Sequence, residues 1–542
     1  MARMTGGEAI VQALIDHGID TIFGLPGVQN DALYSALYDA RKHIRLIHTR
    51  HEQGAAYMAL GAALSTGLPS VYNVVPGPGF LNTTAALATA YSTNARVMCL
   101  TGQIASASIG RGHGLLHEIP DQLGILRSLT KWATRITSPA EAPMLVAEAF
   151  RQLHNGRPRP VGLEVPPDVL AARAELEHVK NSGPSVQRMP VDSHALREAA
   201  TLLAHAKQPM IFVGSGAIAA ADSIKRLAEL LQAPVVSSRS GHGIMSSDHH
   251  LALRLPEAHS LWPDVDVVLA VGSRLQTPLL SWGSDSRLKV IRIDVDPTEH
   301  IRITAPHISF ISHAEDVLPE LVGLLEQTVA PCESRKQEID SIKARLAERA
   351  AFLEPQLGFV RAIRAALPDD GFFVDEMTQV GYVARFAFPI YQPRTFISTG
   401  YQGTLGWGFA AALGVKAAHP NRAVVSVSGD GGFMFNVQEL ATAVQHGIAS
   451  ISIIFNDNAF GNVRRTQKED YDNRIIASDL HNPDFVKLAE AFGATGMRVH
   501  TADELQDAIR AALPNQGPTL IEVPVEEMPS PWPVSFLPRV RQ

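Results

Sequence analysis

Short apolar runs alternate with longer Ala-rich or amphipathic stretches along nearly the whole chain. Thr5 and Glu8 form a capping box ahead of an amphipathic helix over residues 9–17. Strand-like runs follow at 21–24, 44–47, 70–75 and 97–101, separated by helical stretches such as 52–66 and 81–93. This first unit ends near residue 165. A second set of strands is predicted at 210–213, 235–237, 267–271 and 290–294, and a third at 372–374, 424–427, 452–455 and 519–523. Strands alternating with helices predict parallel sheets covered by helices on both faces. The expected fold class is α/β, with three consecutive parallel-sheet domains over 1–170, 190–328 and 350–528 and a tail over 529–542.

Two stretches interrupt the alternation. Residues 171–192 are polar and dotted with Gly and Pro, which reads as a linker. Residues 327–349 are charged and then helical, a second connector. The Pro-rich tail fits an ordered flap or a loose end equally well. Three α/β units in a row suggest duplication, although no residue-level repeat is visible.

Composition narrows the function classes. Apolar residues make up 46 % and charged residues 19 %, so each unit can bury a core. The formal net charge is −7 and no basic block occurs, which excludes nucleic acid and anionic membrane surfaces as expected partners. An anionic ligand must then be held by local donors. The two cysteines, Cys99 and Cys332, show neither metal-ligand spacing nor a disulfide framework, which fits a reducing, cytoplasmic compartment. No signal-like run opens the chain, and no apolar run reaches the roughly 18–20 residues that span a bilayer.

The strongest chemical signal lies in the third unit. Its strand at 424–427 runs into Ser428-Gly429-Asp430-Gly431-Gly432, and its next strand into Phe455-Asn456-Asp457-Asn458-Ala459-Phe460-Gly461. Open parallel sheets bind ligands beyond the carboxyl ends of their strands. Asp430 and Asp457, 27 residues apart, fall at two such ends. The glycines let backbone approach a phosphate. Two carboxylates and a backbone carbonyl suit Mg²⁺, which takes its other ligands from phosphate and water. Alone, Gly-Asp-Gly would be read as a turn; the pair of strand ends is what argues for a site.

On these motifs the chain resembles the thiamine diphosphate-dependent family that includes acetolactate synthase, pyruvate oxidase, benzoylformate decarboxylase and oxalyl-CoA decarboxylase. The resemblance covers nearly the whole chain and implies pyrimidine-binding, central and diphosphate-binding domains in that order. It implies Mg²⁺ held by Asp430, Asp457 and the carbonyl of Ala459, with Asp457 replacing the usual asparagine. It also implies that Thr378, Gln379, Gly429, Gly431, Gly432, Phe460 and Gly461 line the cofactor's diphosphate end.

Other segments carry the rest of the resemblance. Thr49-Arg50-His51-Glu52-Gln53-Gly54-Ala55-Ala56 places Glu52 in a first helical turn, where an acidic residue suits the macrodipole whatever its function. In the family this glutamate binds the cofactor's pyrimidine ring and promotes loss of the thiazolium C2 proton. Gly400-Tyr401-Gln402-Gly403-Thr404-Leu405-Gly406-Trp407-Gly408 is similar to the segment that props the cofactor into a bent shape, with backbone contacts at Gly403 and Leu405 and the Leu405 side chain as wedge. Pro76-Gly77-Pro78-Gly79, with Asn82, looks like a pocket-lining loop. Leu116-His117-Glu118 replaces Phe-Gln-Glu, which makes His117 a candidate substrate-side acid/base, with His113 the weaker one. Arg464 or Arg465 could bind a substrate carboxylate or a CoA phosphate, with Arg464 taken as the candidate, although such a pair is usually a solvated helix start. Acetolactate synthases carry a tryptophan at the position of Thr466, so its absence argues against standard acetolactate synthesis.

The middle unit contains Gly214-Ser215-Gly216-Ala217-Ile218-Ala219 before a helix, a dinucleotide-like pattern. Its next strand ends in Ser237-Ser238 rather than an acidic residue, which argues against a nicotinamide dehydrogenase. The resemblance allows FAD or an ADP group here. Val271-Gly272-Ser273-Arg274-Leu275-Gln276 departs from the family's Arg-Phe-Asp-Asp-Arg pattern, so FAD is possible but not favoured. The expected activity is decarboxylation or carboligation of a 2-oxo acid. The alternatives are an acyl-CoA or diketone lyase and a catalytically silent cofactor-binding subunit; the joint presence of Glu52, Asp430 and the 400–408 segment argues against the last. The family places each cofactor between two subunits, which implies at least a homodimer and favours a homotetramer.

Overall fold

The protein is described from a computed structural model covering residues 2–176, 186–330 and 332–542. The middle of the linker read over 171–192 therefore lies outside the described residues. Three six-stranded sheets, each entirely parallel, form the centres of three units.

The first sheet runs Arg45–His48, Thr21–Gly24, Ser70–Val74, Val97–Gly102, Val161–Val165, Trp132–Arg135. The third runs Phe396–Ile397, Phe372–Val374, Val424–Gly429, Ile451–Asn456, Thr519–Pro524, Thr495–Arg498. Numbered within each unit, both orders are 2-1-3-4-6-5. The middle sheet runs Ala252–Leu253, Val235–Ser237, Pro209–Val213, Val267–Val271, Lys289–Ile293, Ile308–Phe310, which is 3-2-1-4-5-6, the dinucleotide-fold order. Likeness of topology thus joins the first and third units and leaves the middle one apart.

Three of the edge strands absent from the hydropathy reading are short or polar. Phe396–Ile397 has two residues, and Thr495–Arg498 and Trp132–Arg135 are largely half-exposed. Such strands lack the apolar run that marks a doubly covered strand. At the start of the presumed linker, Arg173–Leu176 pairs antiparallel with Ala2–Thr5. The tail is docked: Trp532–Ser535 is helical, and buried Arg541 ion-pairs with Asp285 at 2.9 Å and donates to the Trp262 carbonyl at 2.7 Å.

The first and third units share one apolar core. Its centre is the crossing of helix Glu52–Thr66 with helix Gly408–Ala418. Both are buried nearly all round and rich in Ala and Gly, which lets their backbones meet. A Cβ on Gly61 would lie 2.0 Å from the Ala411 carbonyl oxygen, and one on Gly414 would lie 1.9 Å from that of Met58. This crossing fixes how the helix opened by Glu52 sits against the unit that carries Asp430.

Candidate active site

The strand ends of the third unit surround a cavity of about 250 Å³. Thr378, Gln379, Gly403, Leu405, Gly429, Asp430, Gly431, Gly432, Asp457, Ala459, Phe460 and Gly461 all line it, together with Met377, Tyr382, Val463 and Met528. Strand Val424–Gly429 delivers Asp430, and its neighbour Ile451–Asn456 delivers Asp457. The backbone lies bare where the glycines fall. A Cβ on Gly431 would meet the Phe460 ring at 2.4 Å, and one on Gly461 would meet Asp457 Oδ2 at 2.3 Å.

Both carboxylates are shifted by their surroundings. Burial and then the charge of Asp430 push Asp457 up to about 6. Burial likewise raises Asp430, which Asn482 Nδ2 partly offsets by donating to its Oδ2 at 2.6 Å. Among the described residues neither carboxylate has an ion-pair partner, and no group of three His, Cys, Asp or Glu side chains gathers around a point. Two hard oxygen ligands, a nearby carbonyl and an adjoining cavity match an ion that completes its shell with phosphate and water. The residues present therefore fit a magnesium diphosphate.

The first unit's candidates form a second cluster. Asn82 Nδ2 donates to Glu52 Oε2 at 3.0 Å, and the α-carbon of Gly79 backs onto Glu52. Gly77, at φ +58°, packs against the backbone of His117, where a Cβ would lie 2.4 Å from the His117 carbonyl oxygen. Pro76 abuts Gly102, and buried Gln122 accepts from the Gly77 N–H at 2.8 Å. His117 itself has φ +69°, a left-handed conformation that a non-glycine residue adopts only when its surroundings impose it.

Buried Gln29 supplies that constraint. Its Nε2 donates to the Leu116 carbonyl at 3.2 Å, and its Oε1 lies 3.0 Å from His117 Nδ1. The carbonyl can only accept, so the amide orientation is fixed. Nδ1 then carries the proton of the neutral ring, and Nε2 is left as an acceptor. His113 is exposed on the same loop.

Several partners were beyond sequence reasoning. Glu439, fully buried, accepts from the backbone N–H of Arg50 at 3.1 Å and of His51 at 3.0 Å, immediately before Glu52. Gln29, Asn482 and Glu376 likewise carried no motif. Arg464 is not a free cation: it ion-pairs with Asp479 at 3.0 Å. Nor is Arg465 solvated. It is 5 % exposed and donates to the Met528 carbonyl and to Gln379 Oε1.

The two clusters remain apart within one chain. Among the described residues, none of the first unit lines the cavity around Asp430 and Asp457.

Comparison with known proteins agrees with this architecture. The thiamine pyrophosphate enzyme N-terminal TPP binding domain matches residues 4–125, the central domain 196–321 and the C-terminal TPP binding domain 377–523. The chain belongs to the thiamine pyrophosphate enzyme family. Among its relatives, a probable 2-ketoarginine decarboxylase of Pseudomonas aeruginosa is 34 % identical over 96 % of this chain and 94 % of its own length. A probable acetolactate synthase large subunit of Methanocaldococcus jannaschii is 33 % identical over 99 % and 95 %, and the isozyme 1 large subunit of Escherichia coli is 29 % identical over 98 % and 96 %.

Proposed function

We propose that the protein is a thiamine diphosphate- and Mg²⁺-dependent enzyme that breaks or forms the C–C bond beside the carbonyl of a 2-oxo acid, by decarboxylation or carboligation. The observation that carries this reading is the paired carboxylates Asp430 and Asp457 at adjacent strand ends, lining a glycine-walled cavity in the third unit. The relatives' names, a 2-ketoarginine decarboxylase and acetolactate synthases, support the substrate class.

Asp430, Asp457 and the Ala459 carbonyl would hold the metal. Gly403 and Leu405 would seat the pyrimidine, and Glu52 would take its ring-nitrogen contact. When bound, the cofactor supplies a nucleophilic carbon and an electron sink. The chain supplies position and proton handling: Glu52 is the acid/base toward the cofactor, and His117 Nε2 is the acid/base toward the substrate.

The reading requires a second subunit. Exposed Val28, Leu81, Leu115 and Leu116 neighbour Gln29, Asn82 and His117 along the chain, and on the third unit exposed Val463 lines the cavity while exposed Phe435 packs against Gly406. Apolar side chains on both units suit burial of one surface against the other in a homodimer, the smallest form that completes a site.

The deciding experiment incubates the protein, loaded with thiamine diphosphate and Mg²⁺, with a panel of 2-oxo acids that includes pyruvate and 5-guanidino-2-oxopentanoate. Cofactor-dependent CO₂ release with an aldehyde or 2-hydroxyketone product is expected. No turnover of any 2-oxo acid by cofactor-loaded protein would remove the proposal.

A further inference from the structure

Three stretches of backbone that line the candidate cofactor cavity converge on one side chain that does not line it. Glu376 follows strand Phe372–Val374, which lies between Phe396–Ile397 and Val424–Gly429 in the third sheet. It has no exposed surface. Its Oε1 accepts from the Gly406 N–H at 2.7 Å. Its Oε2 accepts from the Gly408 N–H at 3.0 Å and from the Ser428 hydroxyl at 2.9 Å. A Cβ on Gly432 would lie 2.1 Å from Oε1, and one on Gly408 would lie 2.8 Å from Oε2. One carboxylate therefore ties the loop that carries Gly403 and Leu405 to the strand end that carries Asp430 and to the turn after it.

We propose that Glu376 is a positioning residue for the cofactor, holding the 400–408 loop in register with the strand end at Ser428 and Asp430. The inference rests on the functional reading above for what the loop binds, but not for the hold itself. Only a carboxylate meets all three donors. A glutamine would turn its NH₂ group toward one backbone N–H, and alanine would leave two buried N–H groups without acceptors. Neighbouring charge does not supply the same anchor, because buried Asp375 is engaged by Arg385 at 2.8 Å. Burial pushes Glu376 up to about 7, while the three donors act the other way and favour the ionised form that accepts from all of them. In the sequence the residue is an unremarked acid after a strand.

The test compares Glu376→Gln and Ser428→Ala with the unaltered protein, using thiamine diphosphate with Mg²⁺ as the probe. Calorimetry is expected to show binding weakened by about tenfold or more in Glu376→Gln and by about threefold in Ser428→Ala, as loss of one or more buried hydrogen bonds implies. Hydrogen-exchange mass spectrometry on the cofactor-free protein is expected to show faster exchange across 400–408, with helix Glu52–Thr66 unchanged. A merely structural role would lower the melting temperature but leave intact the stabilisation that the cofactor adds; a positioning role diminishes that increment. Binding within about twofold of the unaltered protein, with unchanged protection of 400–408, overturns the proposal. If Glu376→Gln does not fold, Ser428→Ala decides by the same two readouts. If the unaltered protein binds no thiamine diphosphate, the functional reading falls, while the exchange measurement still reports whether Glu376 holds the loop.

Discussion

The carboxylate of Glu439 accepts the backbone N–H of His51 at 3.0 Å across 388 residues of sequence. The third unit thereby grips the turn that presents Glu52, and the α-carbon of Gly54 must be bare because Glu439 lies against it. Replacing Glu439 with glutamine leaves one of these N–H groups facing an NH₂ group. The expected cost is about 1–3 kcal/mol of unfolding free energy, read from urea denaturation of the cofactor-free protein. Loss of less than a few tenths of that would mean the turn is held by the helix crossing alone.

The proposed function assigns Glu52 to the cofactor rather than to the metal. Glu52→Gln is expected to bind thiamine diphosphate with Mg²⁺ while slowing H/D exchange at C2 of the cofactor by about 10²–10⁴-fold, the usual worth of a positioned acid/base. Quenched-flow NMR of the released cofactor measures this. Exchange at the unaltered rate would remove the assigned role.

The same proposal sets His117, held by Gln29, on the substrate side of the reaction. Gln29→Met fills the same space but frees the imidazole to change tautomer. CO₂ release is expected to fall by about 10²-fold while C2 exchange stays at its unaltered rate. His117→Ala should follow the same pattern. A parallel fall in C2 exchange would place both residues on the cofactor side instead.

Asp430 is 1 % exposed beside a second carboxylate, so divalent metal should be indispensable to the site. Asp430→Ala, or chelation of Mg²⁺, is expected to abolish retention of thiamine diphosphate through gel filtration. Asp457→Asn keeps an oxygen ligand and removes the repulsion, so it should retain the cofactor. Tight binding by Asp430→Ala in the presence of chelator would contradict the metal assignment.

A pH dependence follows from burial of Glu376, which sits at about 7 against 4.5 for an unperturbed glutamate. A raised carboxyl favours the folded state in its protonated form. That contribution is whole below about 4.5 and is lost as pH rises through about 7, by roughly 3 kcal/mol. Asp457, at about 6, adds a smaller effect of the same sign. Cofactor-free protein should therefore melt lower at pH 8 than at pH 5.5, and Glu376→Gln should narrow that difference. An equal difference in the variant would show that the decline arises elsewhere.

Much of this molecule was legible in the residue pattern. The alternation of strand and helix required parallel sheets, because a parallel pair needs a crossover. The strand-end rule then puts Asp430 and Asp457 at neighbouring strand ends. The capping box of Thr5 and Glu8 and the helix Glu52–Thr66 formed as local chemistry dictates. Phe396–Ile397 escaped because two buried residues are too short a run to leave a signal, and Thr495–Arg498 because none of its residues is buried.

Sheet order and burial decided the rest. Periodicity reports which face of an element is apolar, not which distant element covers it. Gln29 meets His117 88 residues away, and Ser428 meets Glu376 52 residues away, only because the 2-1-3-4-6-5 order brings those strand ends and loops together. An isolated Glu or Gln in a sequence looks solvated, whereas in the fold the cost of burial makes each of its oxygens seek a donor. The same physics turned Arg465 inward and seated the tail on the middle unit, and it left the Glu52 cluster and the Asp430 cavity on separate parts of one chain.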